Sequence, residues 1–81
     1  MTKLKVRLVK RTPRGYDGMN APAAKQLGLP YPYPKDVVTV NRNLSKKRQR
    51  EVARHERIEV ANLKKGMSYH KAHKVAKAFE K

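Results

Sequence analysis

Residues 45–66 read SKKRQREVARHERIEVANLKKG, and this stretch organises the rest of the chain. Ser45 is a residue type that caps helix N-termini, and neither glycine nor proline follows it until Gly66. Serine at the start and glycine after the end are typical boundaries of an α-helix. The stretch therefore predicts one helix over residues 46–65, about 30 Å long.

A second helix is predicted directly after the first. Gly66, Met67 and Ser68 form a short turn, in which Ser68 is the next N-cap. Helical spacing over residues 69–80 places apolar side chains on one face. These side chains are Tyr69, Ala72, Val75, Ala76 and Phe79. The two helices are expected to form a helical hairpin.

The N-terminal segment predicts a β-strand over residues 3–10. Its sequence, KLKVRLVK, alternates basic and apolar residues with the period of two that a strand with one covered face requires. Leu4, Val6 and Leu8 are expected to face the core. The basic residues between them are expected to face solvent or a phosphate backbone.

A second strand is predicted over residues 37–41, because its first four residues are all β-branched. We expect it to pair with the first strand. The intervening residues 11–35 hold all five prolines and three of the four glycines, which favours a loop. Within this loop, Asn20 as N-cap and Gly28 as the stop predict a helical turn or two over residues 21–27.

The proline run at residues 30–34, PYPYP, is expected to be stiff and extended, either as an exposed linker or as an aromatic contact surface. Together the elements predict one α+β domain over residues 1–81. Its expected architecture is a small two-stranded sheet followed by a helical hairpin, in the order ββαα, with the Pro-rich loop between the strands.

The charge of the chain indicates an anionic partner. Lysine and arginine number 21 against 6 aspartates and glutamates in 81 residues, which gives a formal net charge of +15. Repulsion among so many like charges opposes folding, so a partner that neutralises them is expected. Nucleic acid, either DNA or RNA, is the predicted partner, and a homodimer is a further prediction.

Two classes of protein are disfavoured by composition. The chain has no cysteine, which excludes a disulfide framework, a thiolate zinc finger and a cysteine nucleophile. The sequence has no run near the roughly 18 apolar residues that a membrane-spanning helix needs. We therefore predict a cytoplasmic protein without a membrane span.

The basic residues of the long predicted helix share one broad side of the helical wheel. They are Lys46, Lys47, Arg50, Arg54, Arg57, Lys64 and Lys65. The carboxylates of Glu51, Glu56 and Glu59 project away from the centre of this side, so they do not neutralise it. The pattern predicts that this face binds a phosphate backbone, with affinity that falls as salt rises.

The same helix contains residues typical of a metal site. His55 and Glu59 are four positions apart and therefore share one helical face, as two ligands of a single ion require. Packing of the two helices brings His73 toward them. Glu56 lies on the apolar side of the helix, where burial raises the pKa of a carboxyl as a general base often requires. Tyr69 or His70 is then available to stabilise developing charge.

This helix resembles the active-site helix of the zincin metallopeptidases, whose pattern is His-Glu-x-x-His with a third ligand further along the chain. His55 and Glu56 match the first two positions, and Glu59 stands where zincins carry the second histidine. The resemblance covers residues 37–73 and includes the order strand, helix, helix. It implies a zinc ion held by His55, Glu59 and His73, and a catalytic Glu56.

The sequence thus supports two main interpretations. The leading one is a basic protein that binds nucleic acid through its long helix and needs no cofactor. The alternative is a zincin-like metal-binding protein or a metal-dependent hydrolase. A nuclease is a third possibility, because a metal held beside a basic surface suits a phosphodiester. Pairing of Glu56 and Glu59 with nearby arginines is the purely structural interpretation.

Overall fold

The computed structural model describes residues 4–78 and contains three strands and three α-helices within that range. The strands are β1 (Lys5–Val9), β2 (Gly18–Met19) and β3 (Val37–Asn41). The helices are α1 (Ala21–Leu27), α2 (Lys46–Lys64) and α3 (Tyr69–Ala78), and a single 3₁₀ turn covers Pro13–Gly15. Three residues of the predicted elements, Lys3, Phe79 and Glu80, lie outside the described residues.

The three strands form one mixed sheet in the order β1-β3-β2. β1 runs parallel to β3, with Lys5 opposite Val37, so the predicted pairing of these two strands is confirmed. β2 runs antiparallel to β3, with Gly18 opposite Val40. The β-branched β3 is the central strand, and its first four residues are buried, which explains its continuous apolar composition.

Helix α2 begins where the sequence predicts, because the Ser45 hydroxyl accepts a hydrogen bond from the Arg48 amide at 3.2 Å. It packs on β3 and β2 through one side and on α3 through the next. Its buried residues include three carboxylate or imidazole side chains, His55, Glu56 and Glu59. Burial of so many ionisable groups on one helix is unusual outside functional sites.

Helix α1 closes the end of the molecule between the sheet and the helical hairpin. It has the predicted N-cap, Asn20, and the residue after it, Gly28, has a φ of 69° that suits glycine. Ala23 and Ala24 of α1 pack with Leu63 and Ala72 of the other two helices. Alanine at these positions lets the three helices approach closely enough to enclose a small core.

The predicted fold, a two-stranded sheet followed by two helices, is wrong. The structure has a third strand, β2, and the short helix α1 is a full element of the architecture. β2 consists of only Gly18 and Met19, which is too short to produce an alternating pattern and begins with a poor strand former. Its pairing depends on tertiary contact with β3, so the local sequence does not reveal it.

The expected burial of β1 is also wrong in part. Val6 and Leu8, predicted to face the core, are 39% and 50% exposed, whereas Val9 is buried. β1 is an edge strand, and α2 packs over β3 and β2. The apolar side chains of β1 therefore extend beyond the part of the sheet that the helix covers.

The proline run contacts the sheet through its tyrosines. The Tyr31 hydroxyl donates to the backbone oxygen of Val37, and the two tyrosine rings of the run meet edge to face at 5.3 Å. Burial raises the pKa of Tyr31 to about 12. The Arg7 guanidinium lies over the Tyr33 ring, 5.6 Å from its centre. The run is therefore attached to the sheet through both of its aromatic residues.

In the described part of the chain, no helix combines the length and apolar character that crossing a membrane requires.

Candidate metal centre

Three side chains from α2 and α3 converge at one point. The Nε2 atom of His55 lies 3.0 Å from Oε2 of Glu59 and 3.2 Å from Nδ1 of His73. The third side of this triangle, from His73 Nδ1 to Glu59 Oε2, measures 2.9 Å. One turn of α2 supplies the first two residues, and the packing of α3 against α2 supplies the third.

Either protons or a cation can occupy the space between these three atoms. A carboxylate oxygen only accepts, and each imidazole nitrogen either carries a proton or presents a lone pair. If both nitrogens carry protons, both donate to Oε2 of Glu59, which has two lone pairs to accept them. If only one of the two nitrogens carries a proton, the lone pair of the other nitrogen faces the Glu59 carboxylate, which is unfavourable. A cation between the three atoms is favourable for all of them.

The donor set and its dimensions suit zinc. Two histidines and one glutamate, with a fourth position left open, are ligands that catalytic zinc sites use. Tetrahedral bonds to zinc of about 2.0–2.1 Å place neighbouring ligand atoms about 3.3 Å apart. The separations of 2.9–3.2 Å are close to this value, so the three side chains reach that spacing with small outward shifts.

Glu56 lies beside the triangle without belonging to it. Its side chain is buried, and its Oε2 atom is 3.8 Å from Nε2 of His55. Because Glu56 follows His55 on the helix, its side chain leaves α2 toward β2 and lines the same pocket. The burial of Glu56 agrees with its predicted position on the apolar side of the helix, and its role as a general base stays a prediction.

Asn20 connects the two buried carboxylates. Its side-chain amide donates to Oε1 of Glu56 at 3.0 Å and to Oε1 of Glu59 at 3.1 Å. Its own side-chain oxygen accepts from the Ala23 amide at 2.8 Å, which fixes the amide's orientation. Asn20 is completely buried. The sequence predicts its role as an N-cap but not its contact with the carboxylates.

The charge state of Glu59 follows from its contacts. Burial raises the pKa of its carboxyl, but the hydrogen bonds with His55, His73 and Asn20 outweigh burial, and the pKa lies below its ordinary value. Glu59 is therefore ionised at neutral pH, as a metal ligand must be.

Tyr69 completes the outer side of the centre. Its hydroxyl lies 3.4 Å from Nδ1 of His73, and its ring stacks on the His73 imidazole with an interplanar angle of 24°. Burial raises the pKa of Tyr69 to about 12, and the nearby Glu59 charge adds to this shift. The hydroxyl is therefore a hydrogen-bond donor at neutral pH. His70, the other residue suggested for this role, is exposed and is not among the residues that line the pocket.

The centre opens to solvent through a pocket of about 190 Å³. The His73 side chain is 40% exposed, whereas those of His55 and Glu59 are almost fully covered. Gly18 of β2 and Tyr16 form one wall, neither of which the sequence singles out as a site residue. Arg48 and Asp17 pair across this wall at 3.2 Å. A small molecule or a chain segment can therefore reach His73 from outside.

The basic residues predicted to bind nucleic acid lie elsewhere on α2. All seven are exposed, on the side of the helix opposite its buried residues: Lys46, Lys47, Arg50, Arg54, Arg57, Lys64 and Lys65. Within residues 4–78, no carboxylate lies at ion-pair distance from any of these seven side chains. We call this surface the basic face. Phosphate binding by the basic face stays a prediction.

Comparisons with known proteins add nothing to the geometry of the site. A scan against protein-family models, a search of curated proteins and a search of solved structures each found no match. The resemblance to zincins therefore stays a prediction that depends on the spacing of His55, Glu56, Glu59 and His73.

Proposed function

We propose that this protein is a zincin-like, metal-dependent hydrolase. The observation that carries the proposal is the triangle of His55, Glu59 and His73, whose three donor atoms lie within 3.2 Å of one another in a pocket open to solvent. Metal binding alone is the smaller part of the proposal. Hydrolysis is the larger part and depends on Glu56 and Tyr69.

His55, Glu59 and His73 would hold the ion, and zinc fits their donor types. When bound, zinc supplies a Lewis acid that polarises a carbonyl or phosphoryl oxygen and makes water more acidic. Glu59, in place of a histidine, gives the site one anionic ligand. This lowers the net positive charge of a zinc site relative to a set of three neutral ligands.

The remaining residues would act on the substrate. The Glu56 carboxylate is in position to accept a proton from a water molecule in the pocket, and Asn20 holds one of its oxygens by a hydrogen bond of 3.0 Å. Tyr69 is in position to donate a hydrogen bond to an oxygen that gains negative charge. Its pKa of about 12 keeps that proton in place at neutral pH.

Metal binding is tested first, on untagged protein dialysed against a chelator and then titrated with zinc. We expect one zinc ion per chain by elemental analysis and a higher melting temperature when zinc is present, because the ion binds the folded state. His73→Ala should lose the zinc. His70→Ala is the matched control, since His70 is an exposed histidine of the same helix. Equal zinc binding by both variants would contradict the proposed centre.

Hydrolysis is tested separately with the Glu56→Gln variant. It should keep its zinc and its fold, because glutamine preserves the shape of the side chain. It should lose about 10²–10⁴-fold of any hydrolytic rate on a peptide library or an activated ester, as expected for loss of a general base. If the hydrolytic rate rises with zinc content but is unchanged by Glu56→Gln, Glu56 is not the base.

Nucleic-acid binding through the basic face is the second candidate. It is supported by seven exposed cationic side chains on one helix, none within ion-pair distance of a described carboxylate. The two candidates use different sides of α2, so one protein can have both activities. A cytoplasmic location and a homodimer stay predictions.

A further inference from the structure

The outer edge of β1 has no strand partner within residues 4–78. In the pairing of β1 with β3, the Lys5 amide donates to Asp36 at 2.8 Å and the Val9 oxygen accepts from Arg42 at 2.9 Å. Backbone groups alternate in direction along a strand, so residues 5, 7 and 9 face β3. The N–H and C=O groups of Val6 and Leu8 therefore point away from the sheet. No other strand of the described residues pairs with this edge.

The same two residues carry the exposed apolar side chains of the sheet. Val6 is 39% exposed and Leu8 is 50% exposed, the only large hydrophobic residues so exposed in the described part of the chain. They form the floor of an open groove of about 770 Å³ between β1 and α2. An edge strand with both unused backbone groups and an apolar face is a template for another strand.

The wall of this groove is cationic. Lys47, Arg50, Arg54 and Arg57 line it, with Glu51 as the single carboxylate. On the opposite face of β1, Lys5 and Arg7 add positive charge at the edge. A segment that enters the groove must therefore be acidic to be attracted.

We propose that the groove between β1 and α2 binds an acidic protein segment in an extended conformation, which adds to β1 as a fourth strand. Its backbone pairs with the outward groups of Val6 and Leu8, as in other cases of β-strand addition. Side chains of the segment that face the groove are apolar and cover Val6 and Leu8. Those that face the other way are acidic and lie opposite Lys5 and Arg7, where unlike charges on paired strands are favourable.

Two other occupants fit less well. A second copy of this chain would place two edges of the same charge together, on molecules that each carry a net charge of +15. Nucleic acid would use the arginines but neither the strand edge nor the apolar floor. Basic side chains on an edge strand also discourage aggregation. This accounts for the presence of Lys5 and Arg7 on β1, but it does not account for the exposure of Val6 and Leu8.

The test uses a short fluorescent peptide that alternates valine and glutamate, with binding measured by fluorescence anisotropy at low and moderate salt. A valine and lysine peptide and a proline-interrupted acidic peptide are the ligand controls. Val6→Pro removes one outward N–H without touching the pairs with β3, and Val6→Thr keeps that N–H. We expect Val6→Pro to abolish binding and Val6→Thr to preserve most of it.

The charge of the groove is tested with two triple variants that each remove three cations from α2. Arg50→Gln, Arg54→Gln and Arg57→Gln together alter the groove, and Lys46→Gln, Lys64→Gln and Lys65→Gln together alter the same face largely outside it. We expect the first set to weaken peptide binding about tenfold, because the three cations beside the bound strand no longer attract an acidic peptide, and the second, which lies largely outside the groove, to have little effect. This result does not depend on Val6→Pro folding.

Several outcomes would overturn the proposal. One is that the acidic peptide does not bind even at low salt. Another is that both triple variants weaken peptide binding equally. Alternatively, a mixed-sequence oligonucleotide binds more tightly than the peptide and responds equally to both triple variants, which identifies nucleic acid as the occupant. A concentration-dependent dimer that Val6→Pro dissociates identifies a second copy.

Discussion

Asn20 is the residue on which the arrangement of both buried carboxylates depends. It donates to Glu56 at 3.0 Å and to Glu59 at 3.1 Å, and its oxygen caps α1. One side chain therefore fixes the start of a helix, the proposed base and one proposed ligand. Loss of the amide leaves two carboxylates without these hydrogen bonds. Because both carboxylates are buried, water cannot replace the lost bonds, and the free energy of unfolding falls.

Replacing Asn20 by alanine is expected to destabilise the protein by about 2–4 kcal/mol, from the lost cap and the lost bonds to charged groups. Chemical denaturation measures this change. The comparison variant is Asn43→Ala, which removes an exposed asparagine side chain and should change stability by less than about 0.5 kcal/mol. Equal effects at both positions would show that the Asn20 network contributes nothing.

The pairing of His55 with Glu59 was predictable at this scale, but the hydrogen bonds of Asn20 that support it were not. His55 and Glu59 share a helical face because they are four residues apart, which the sequence shows directly. Asn20 precedes Glu56 by 36 positions and Glu59 by 39. The cap could be predicted from local sequence, but the second role of the same amide depends on how α1 docks against α2.

At the scale of elements, Gly18 determines how closely β2 approaches α2. A Cβ atom at this position would lie 2.6 Å from Cγ1 of Val52 and 2.9 Å from the backbone oxygen of Thr39. Only glycine leaves room for this contact. One wall of the candidate metal centre is therefore formed by a strand that packs closely against the helix that carries His55 and Glu59.

Gly18→Ala is expected to destabilise the fold by about 1–3 kcal/mol, the usual range for overpacking. The added methyl group also comes within 3.1 Å of Cγ of Glu56, so the proposed hydrolytic activity should fall as well. In a Val52→Ala background the same change should be less harmful, because the nearest side-chain obstacle is gone. Thermal denaturation of the two single variants and the double variant measures the coupling. Strictly additive losses would contradict a steric clash with Val52.

At the scale of the whole molecule, charge is the dominant property. A net charge of +15 on 81 residues favours binding to any polyanion. The structure concentrates part of this charge on the basic face of α2 and keeps the buried carboxylates on the opposite side. The charge of the helix is therefore separated into a cationic outer surface and an anionic interior.

If the basic face binds nucleic acid, replacing Arg50, Arg54 and Arg57 together by alanine should lower the affinity and flatten its salt dependence. Each lost phosphate contact should reduce the slope of log affinity against log salt by about 0.9 on duplex DNA. Filter binding or anisotropy at several salt concentrations measures the slope. Binding should survive a chelator, since it does not use the metal centre. An unchanged slope would count against the basic face as the binding surface.

Local sequence patterns were sufficient to predict β3, the two longer helices, their caps and the four-residue spacing of His55 and Glu59. These features depend on interactions between residues close in the chain, which local patterns record. The approach of His73 to His55 and Glu59 was also expected, from the helical hairpin, but the third strand, the exposure of Val6 and Leu8, and the contacts of Asn20 became visible in the folded structure alone. Each of these depends on which surfaces the helices cover once the chain has folded, and no local pattern encodes that choice.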